Sequence, residues 1–308
     1  MRAFSRIVGS LILLSALSHV PGLTENRSSA EEQAKKPSLA QKIQKHRAAP
    51  RAGSQVAPSH QEIGNPTYKR MLQSVVLIEV ATDETTSRGT GWIVDADDRL
   101  VVTNHHVIEG AENCEIYFPE FIAGRLNTDP ATSLDPSRAL RARVVDSDQT
   151  LDLALLQIED PLPKDALALE LADESATPGQ RIHSLAGSTV GSQSLWIYST
   201  GHVRQIVRGM LANDYEAMLL ESDMATNQGN SGGPVCNDDG KVVAVVEGHR
   251  TDARLVSIYV DLQSLVEYLD QALRCVNPQS AEDLRFAAER HLGEGRPSIA
   301  LSLATRAT

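Results

Sequence analysis

Ser231 lies in Thr226–Val235, TNQGNSGGPV, the segment of this chain best suited to nucleophilic chemistry. A serine hydroxyl becomes a useful nucleophile when it stands clear of its own backbone and a base can take its proton. Gly229, two residues ahead, permits the backbone conformation of a tight turn. Gly232 and Gly233 leave room for the backbone of a substrate. Nearby backbone N–H groups must also point at a developing oxyanion. A glycine-rich turn alone is weak evidence, so the rest of the chain must supply a base and an acid to orient it.

Two segments do so. Val101–Val107, VVTNHHV, ends an apolar run in a pair of histidines, His105 and His106. An imidazole titrates near neutrality, which suits a general base. Gln149–Ile158, QTLDLALLQI, sets Asp152 in front of a strongly apolar strand. Burying a carboxylate is costly unless it is paired, and an imidazole N–H is the partner that explains this one. The chain order His, Asp, Ser is one of the known orders of a catalytic triad. The other histidines, His183 and His249 among them, have no partner pattern and read as structural or surface residues. With no HExxH and no paired CxxC, neither a metal nor a cofactor is expected.

Gly-Thr-Gly-Trp-Ile-Val at 89–94, Thr-Asn-His-His-Val at 103–107, Asp-Leu-Ala-Leu-Leu at 152–156 and Gly-Asn-Ser-Gly-Gly-Pro at 229–234 follow one another in the chain. Together they resemble the protease domain of the HtrA (Deg) family, a branch of the trypsin-like serine proteases. The likeness covers Met71 to Leu269. It implies an all-β fold, a trypsin-like double six-stranded β-barrel, here with C-terminal helices. It implies His106, Asp152 and Ser231 as the triad, an oxyanion hole at Gly229 and Ser231, and polypeptide substrates cleaved through an acyl-enzyme. The family's Asn-His-Val pattern maps the base to His106 and makes His105 the runner-up.

By the same mapping the substrate pocket involves Ala225, Thr226, Val245, Val246 and Glu247. Ala225 falls at the pocket base, where no acid stands, so a small or medium apolar side chain is expected there. Glu247 is the one residue on that wall that would favour a basic group. The family usually carries a PDZ domain after the protease, and too few residues follow Leu269 to build one. A homo-oligomer is left open. Two other readings stay open as well: a catalytically idle protease-like binding or chaperone module, and a scaffold whose C-terminal hairpin recruits partners.

The elements that must position these residues are mostly strands. Ser74–Val80, Trp92–Val94, Leu100–Thr103, Arg141–Val145, Leu153–Ile158, Arg181–Leu185, Leu195–Ser199, Met218–Glu221 and Lys241–Val246 are short β-rich runs. Turn signals such as Asp97-Asp98 and Asp238-Asp239-Gly240 separate them, which predicts a barrel or sandwich. Phe118–Leu140, with three prolines, reads as a long polar insertion. Asp261–Val276 has the helical period, with Asp261 as its N-cap. Ala281–Leu292 and Ile299–Ala307 form a helical hairpin, similar to part of a tetratricopeptide unit, which cannot bury its own apolar face.

Composition frames the rest. The net charge of −11 over 308 residues argues against a nucleic-acid binder. Aromatics are only 4%, so the core must rest on Val, Leu, Ile and Ala. Arg2 and Arg6 followed by the apolar stretch Ile7–Leu17 read as a signal peptide, residues 1–22. Residues 23–66 read as a disordered linker, rich in Ser, Ala, Lys, Gln and Pro. A protease domain over 67–270 and a helical hairpin over 271–308 complete the expected organisation. The expected location is periplasmic or secreted, with a membrane tether if the signal stays uncleaved. Three cysteines leave at least one unpaired, so small buried hydrophobes are the better reading than a disulfide framework.

Overall fold

The computed structural model describes residues 64–81, 86–187, 195–211, 215–249 and 256–307. The expected signal peptide, and all but the last residues of the linker, lie outside them.

The apolar runs become strands because both of their faces are buried. Successive side chains in a strand point to opposite sides. In β1 (Val75–Ala81), Val76, Ile78 and Val80 enter one core cluster and Val75 and Leu77 enter another. The same split runs through β3 (Leu100–Thr103) and β8 (Leu153–Ile158). A strand that is buried twice has no polar face to alternate, hence VVT and LALL.

The strands close into two six-stranded antiparallel barrels. The first takes β1, β2 (Thr86–Asp95), β3, β8, β7 (Leu140–Asp148) and β4 (Asn113–Tyr117) in that order around the sheet. The second takes β10 (Ile197–Met210), β11 (Glu216–Ser222), β14 (Ser257–Asp261), β13 (Val242–His249), β12 (Pro234–Cys236) and β9 (Arg181–Ala186). The double barrel expected from the resemblance is therefore the fold. A short helix, α1 (Pro66–Leu72), leads into β1, and its Met71 and Leu72 join the cluster shared by the two barrels.

The Phe118–Leu140 insertion is more ordered than a polar connection. It contains a two-stranded hairpin, β5 (Phe121–Ile122) with β6 (Arg125–Leu126), and one turn of helix, α2 (Pro130–Ser133). Glu120 accepts from both Arg138 and Asn127, and these side-chain bonds replace the missing apolar pattern.

Asp261 caps α3 (Leu262–Val276) by accepting from the Gln263 amide. Leu265, Tyr268 and Leu269 of that helix are buried in the shared cluster. The helix runs through the boundary expected near 270 without a break. Next come α4 (Ala281–Gly293) and α5 (Pro297–Arg306). Leu284, Ala287 and Leu303 pack on the same cluster, so the barrel covers the face that the hairpin could not bury alone. All three cysteines are free and buried. Burial pushes the Cys114 thiol up to about 12, as for a small hydrophobe.

The seam between the barrels is tightest at Gly232. Its φ is +80°, and a Cβ there would stand 2.3 Å from both Thr103 Oγ1 and the Thr90 carbonyl of the first barrel. Left-handed strain and the clash together should cost about 2–5 kcal/mol in Gly232→Ala. The expected outcome in a thermal melt followed by circular dichroism is a fall of roughly 5 °C or more. An unchanged melting temperature would show that the seam yields freely.

Candidate active site

Strand pairing brings His106 and Asp152 together. Strands β3 and β8 are antiparallel neighbours with Thr103 opposite Ala154. The residues just after β3 therefore face those just before β8. Asn104 Nδ2 donates to the Asp152 carbonyl at 2.6 Å, tying the two connections. Asp152 then holds His106 twice. Its Oδ1 accepts from the His106 amide at 2.9 Å, and its Oδ2 lies 2.7 Å from Nδ1. A carboxylate against Nδ1 places the ring proton there and leaves Nε2 free to accept.

Asp152 adopts φ +51°, unusual for a residue with a Cβ. Such a conformation costs of order 1–3 kcal/mol and persists only where its surroundings over-determine it. The bonds to Asn104 and His106 are part of that enforcement. Asp148 adds more by accepting from the Thr150 and Leu151 amides and shaping the turn that precedes Asp152.

Ser231 comes from the second barrel, in the connection between β11 and β12. The Asn230 amide donates to the Asn227 carbonyl, and Gly229 has φ +94° at the third position of that turn. This is type II geometry, and it requires glycine. The turn is stapled to the first barrel through Thr90. The Thr90 amide donates to the Ser231 carbonyl at 2.9 Å, and its Oγ1 donates to the Gly229 carbonyl at 2.7 Å. That hydroxyl in turn accepts from the Gly187 amide at 2.9 Å. On the other side, Gly232 donates to the Val246 carbonyl. Among the described residues, no backbone or side-chain bond claims the amides of Gly229 or Ser231. None joins Ser231 Oγ to His106 either.

A cleft of about 320 Å³ opens beside the imidazole, lined by His105, His106, Glu109, Gln149, Asp152, Leu211 and Glu247. The pairing of β13 with β14 shifts register between Val246 and Gly248, which makes Glu247 a bulged residue. A bulge re-aims its side chain, and here it delivers a carboxylate into the cleft. Glu247 has its pKa raised, by burial first and by the nearby Asp152 second. For His106, burial acts to lower the pKa. The hydrogen bond and charge of Asp152, with Glu247 and Glu109 behind them, outweigh it and leave the ring raised above 6.5.

The pocket residues expected from the family mapping divide. Thr226 is buried, and its hydroxyl bonds Ser257 Oγ at 2.7 Å and the Gly248 carbonyl at 3.3 Å. Ala225 is exposed. Val245 and Val246 need correction as pocket walls. Their side chains are wholly buried in two core clusters, because consecutive strand residues point opposite ways, so they can line the cleft only with backbone. Glu247 lines the His106 side. His183 is locked between the Tyr198 hydroxyl and Asp238, each at 2.6 Å, in keeping with a structural role. The side chain of His249 lies outside the described residues. Ser257 and Glu109 are site neighbours that no local sequence pattern pointed to, and Thr90 stood in the Gly-Thr-Gly-Trp-Ile-Val motif without an assigned role.

Two barrels, a histidine gripped by an aspartate at the end of one and a serine on a glycine turn of the other, define the trypsin-like class. Residues 89–245 match the family described as "Trypsin-like peptidase domain". The chain belongs to that family, and its curated relatives include DegP and DegP-like serine endoproteases. A protein of Marinomonas, "Probable periplasmic serine endoprotease DegP-like", is 30% identical over 247 residues, 78% of this chain and 47% of the relative. "Periplasmic serine endoprotease DegP" of Escherichia coli is 30% identical over 158 residues, 51% of this chain and 29% of the relative. The chain thus spans less than half the length of these relatives.

Among solved structures, the active form of the Rv3671c protease from M. tuberculosis superposes with a TM-score of 0.55. It is 22% identical, with 72% of this chain and 92% of that one covered. The serine endoprotease from Yersinia pestis gives 0.52 at 19% identity, covering 68% and 65%. These structural likenesses speak to the fold.

The electrostatics of the cleft make a measurable forecast. A base acts only when neutral, so activity should rise as the pH climbs through the raised pKa of His106. The acid limb of kcat/KM should have its midpoint above pH 6.5. Glu247→Gln removes a charge that favours the imidazolium, so the midpoint should move to lower pH. A pH–rate profile on a short peptide reads both, and an unmoved midpoint in the variant would exclude Glu247 from the field at His106.

Proposed function

We propose that this chain is a serine endopeptidase with Ser231 as nucleophile, His106 as general base and Asp152 as the group that orients it. The observation that carries this reading is the double grip of Asp152 on His106, in a fold that presents Ser231 on a glycine turn stapled to the same barrel. Ser231 Oγ attacks a peptide carbonyl and its proton passes to His106 Nε2. The freed amides of Gly229 and Ser231 donate to the oxygen that becomes negative. The imidazolium then protonates the departing amine, leaving an acyl-enzyme. Water, deprotonated by the same imidazole, cleaves the ester and restores Ser231.

This sequence needs Ser231 Oγ to turn onto Nε2, a contact that commonly tightens only with substrate in place. Asp152 remains ionised throughout and stabilises the imidazolium.

The relatives carry "periplasmic" in their names, and the expected leader agrees with export. We therefore assign polypeptide substrates, a periplasmic or secreted location, and a part in handling envelope proteins. No helix among the described residues is long and apolar enough to cross a membrane. Assembly into a homo-oligomer is part of the same proposal.

Ser231→Ala should abolish peptide hydrolysis, a loss on the order of 10⁴ or more, while the circular dichroism spectrum stays native. Labelling by a fluorophosphonate should vanish with it. Equal casein cleavage by wild type and variant would remove Ser231 from its role.

For the residue before the scissile bond, Thr226 and Ser257 offer hydroxyls and Ala225 a methyl, with no carboxylate at the mapped pocket base. Glu247 lines the His106 side of the cleft, which weakens its claim on this pocket. A small or medium apolar residue should dominate a peptide-library cleavage profile, and a profile ruled by Arg would overturn that preference.

A further inference from the structure

The segments that lead into Asp152 and His106 are joined by a second carboxylate, from the C-terminal helices. Glu294 follows α4 directly as its C-cap residue. Its Oε2 accepts from Ser147 Oγ at 3.1 Å, and its Oε1 accepts from the Gln149 amide at 3.4 Å. These residues belong to the segment that leads into the strained turn at Asp152. The same Oε2 lies 3.4 Å from Nδ1 of His105, the residue before His106, at ion-pair distance though not aligned as a hydrogen bond. One carboxylate therefore touches both connections whose ends carry the orienting acid and the base.

The bridge is firmly anchored. One turn back along α4, Arg290 forks onto both oxygens of Asp146, with Nη2 2.8 Å from Oδ2, and also reaches the Ser147 carbonyl at 3.3 Å. Asp146 is only 1% exposed, and burial pushes its carboxyl upward against the opposing charge of Arg290. Removing one partner of such a buried pair leaves an uncompensated charge, so α4 is held to β7 strongly at this point. Glu294 inherits a fixed position from that pair.

We propose that Glu294 is a positioning residue for the His106–Asp152 pair, and that the helical appendage is in this way part of the active-site apparatus. The φ of +51° at Asp152 supplies the physical need. Strain at that residue must be resisted from the preceding segment, and Glu294 grips that segment at Ser147 and Gln149. Loss of the grip lets Asp152 relax, lengthens its bond to Nδ1 and misdirects the imidazole. A displacement of about 1 Å in such a group can cost on the order of a hundredfold in rate.

The inference rests on the proposed triad, and the experiment separates the two. Glu294→Ala, Glu294→Gln and the control Glu289→Ala, on an exposed position of α4, are made in the full chain. Peptide hydrolysis gives kcat and KM, and the His106 ring is titrated by NMR. Glu294→Ala should lower kcat about tenfold to a hundredfold with KM little changed. Its His106 ring should titrate at lower pH, because the Asp152 bond that raises it is weakened. Glu294→Gln should recover most of both, since its amide oxygen can accept from the Gln149 N–H while its NH2 donates to the Ser147 hydroxyl oxygen. Glu289→Ala should match wild type.

Wild-type kcat and wild-type His106 titration in Glu294→Ala would overturn the role of Glu294. Failure of the wild-type protein to react with a fluorophosphonate would instead sink the protease reading, and the titration would still decide whether Glu294 positions the pair. Should Glu294→Ala melt below the assay temperature, Ser147→Ala severs one end of the bridge in its place. Unchanged values there would equally overturn the inference.

Discussion

The whole site depends on where β3 stops and β8 starts. Because the two strands are antiparallel neighbours, the end of one and the beginning of the other share an edge of the first barrel. A histidine just past one and an aspartate just short of the other must then meet. Two bonds from a single carboxylate, to the backbone and ring of His106, convert proximity into a fixed orientation and a fixed tautomer. The cost is a left-handed conformation at Asp152, which the surrounding bonds impose. Packing of β1, β3 and β8 through both faces keeps the strand ends from shifting, so core burial and site geometry are one problem.

The serine belongs to a different barrel, and its alignment is therefore a property of the seam. Thr90 carries much of that alignment. Its amide, hydroxyl and carbonyl are all engaged, with the Gly229–Ser231 turn on two of them and Thr103 on the third. In the sequence the Gly-Thr-Gly stretch opens the first of the four motifs. Its meaning is close approach: Gly89 and Gly91 pack against Val107 and Val101, leaving Thr90 free to reach across. Gly232 meets it from the other side. Apolar mass between the barrels, including Trp92, Leu77, Leu185 and Val245, presses these polar contacts together and shields them from water.

What could be read from the sequence follows from this arrangement. β3 and β8 appear with their observed limits because strands buried on both faces leave long apolar runs. β4, NCEIY, went unread because Asn113 and Glu115 face solvent and only five residues carry the alternation. β12 begins at a proline and spans three residues, too few for any period. The outer half of β10 is exposed and polar, so nothing marked its continuation to Met210. Of the site, the His, Asp and Ser were legible through their flanking strands and glycines. Val245 and Val246 were misplaced because a family mapping gives positions without faces, and Glu247 depends on a bulge that only the pairing partner β14 reveals.

The C-terminal helices mark the limit of local reading. Their apolar period predicts that they need a surface, and the shared core cluster supplies it. That says nothing of Arg290 and Glu294, which on the sequence alone look like ordinary charges near the end of a helix. Their partners, Asp146, Ser147 and Gln149, lie more than a hundred residues earlier. A charged helix end would gain little from solvent-exposed pairing. Buried against β7, the same charges fix the approach to Asp152. An appendage whose only task was to cover apolar surface would have no need of an ion pair driven into the barrel. The expense of burying Asp146 and Arg290 is intelligible if position, and not stability alone, is what the pair secures.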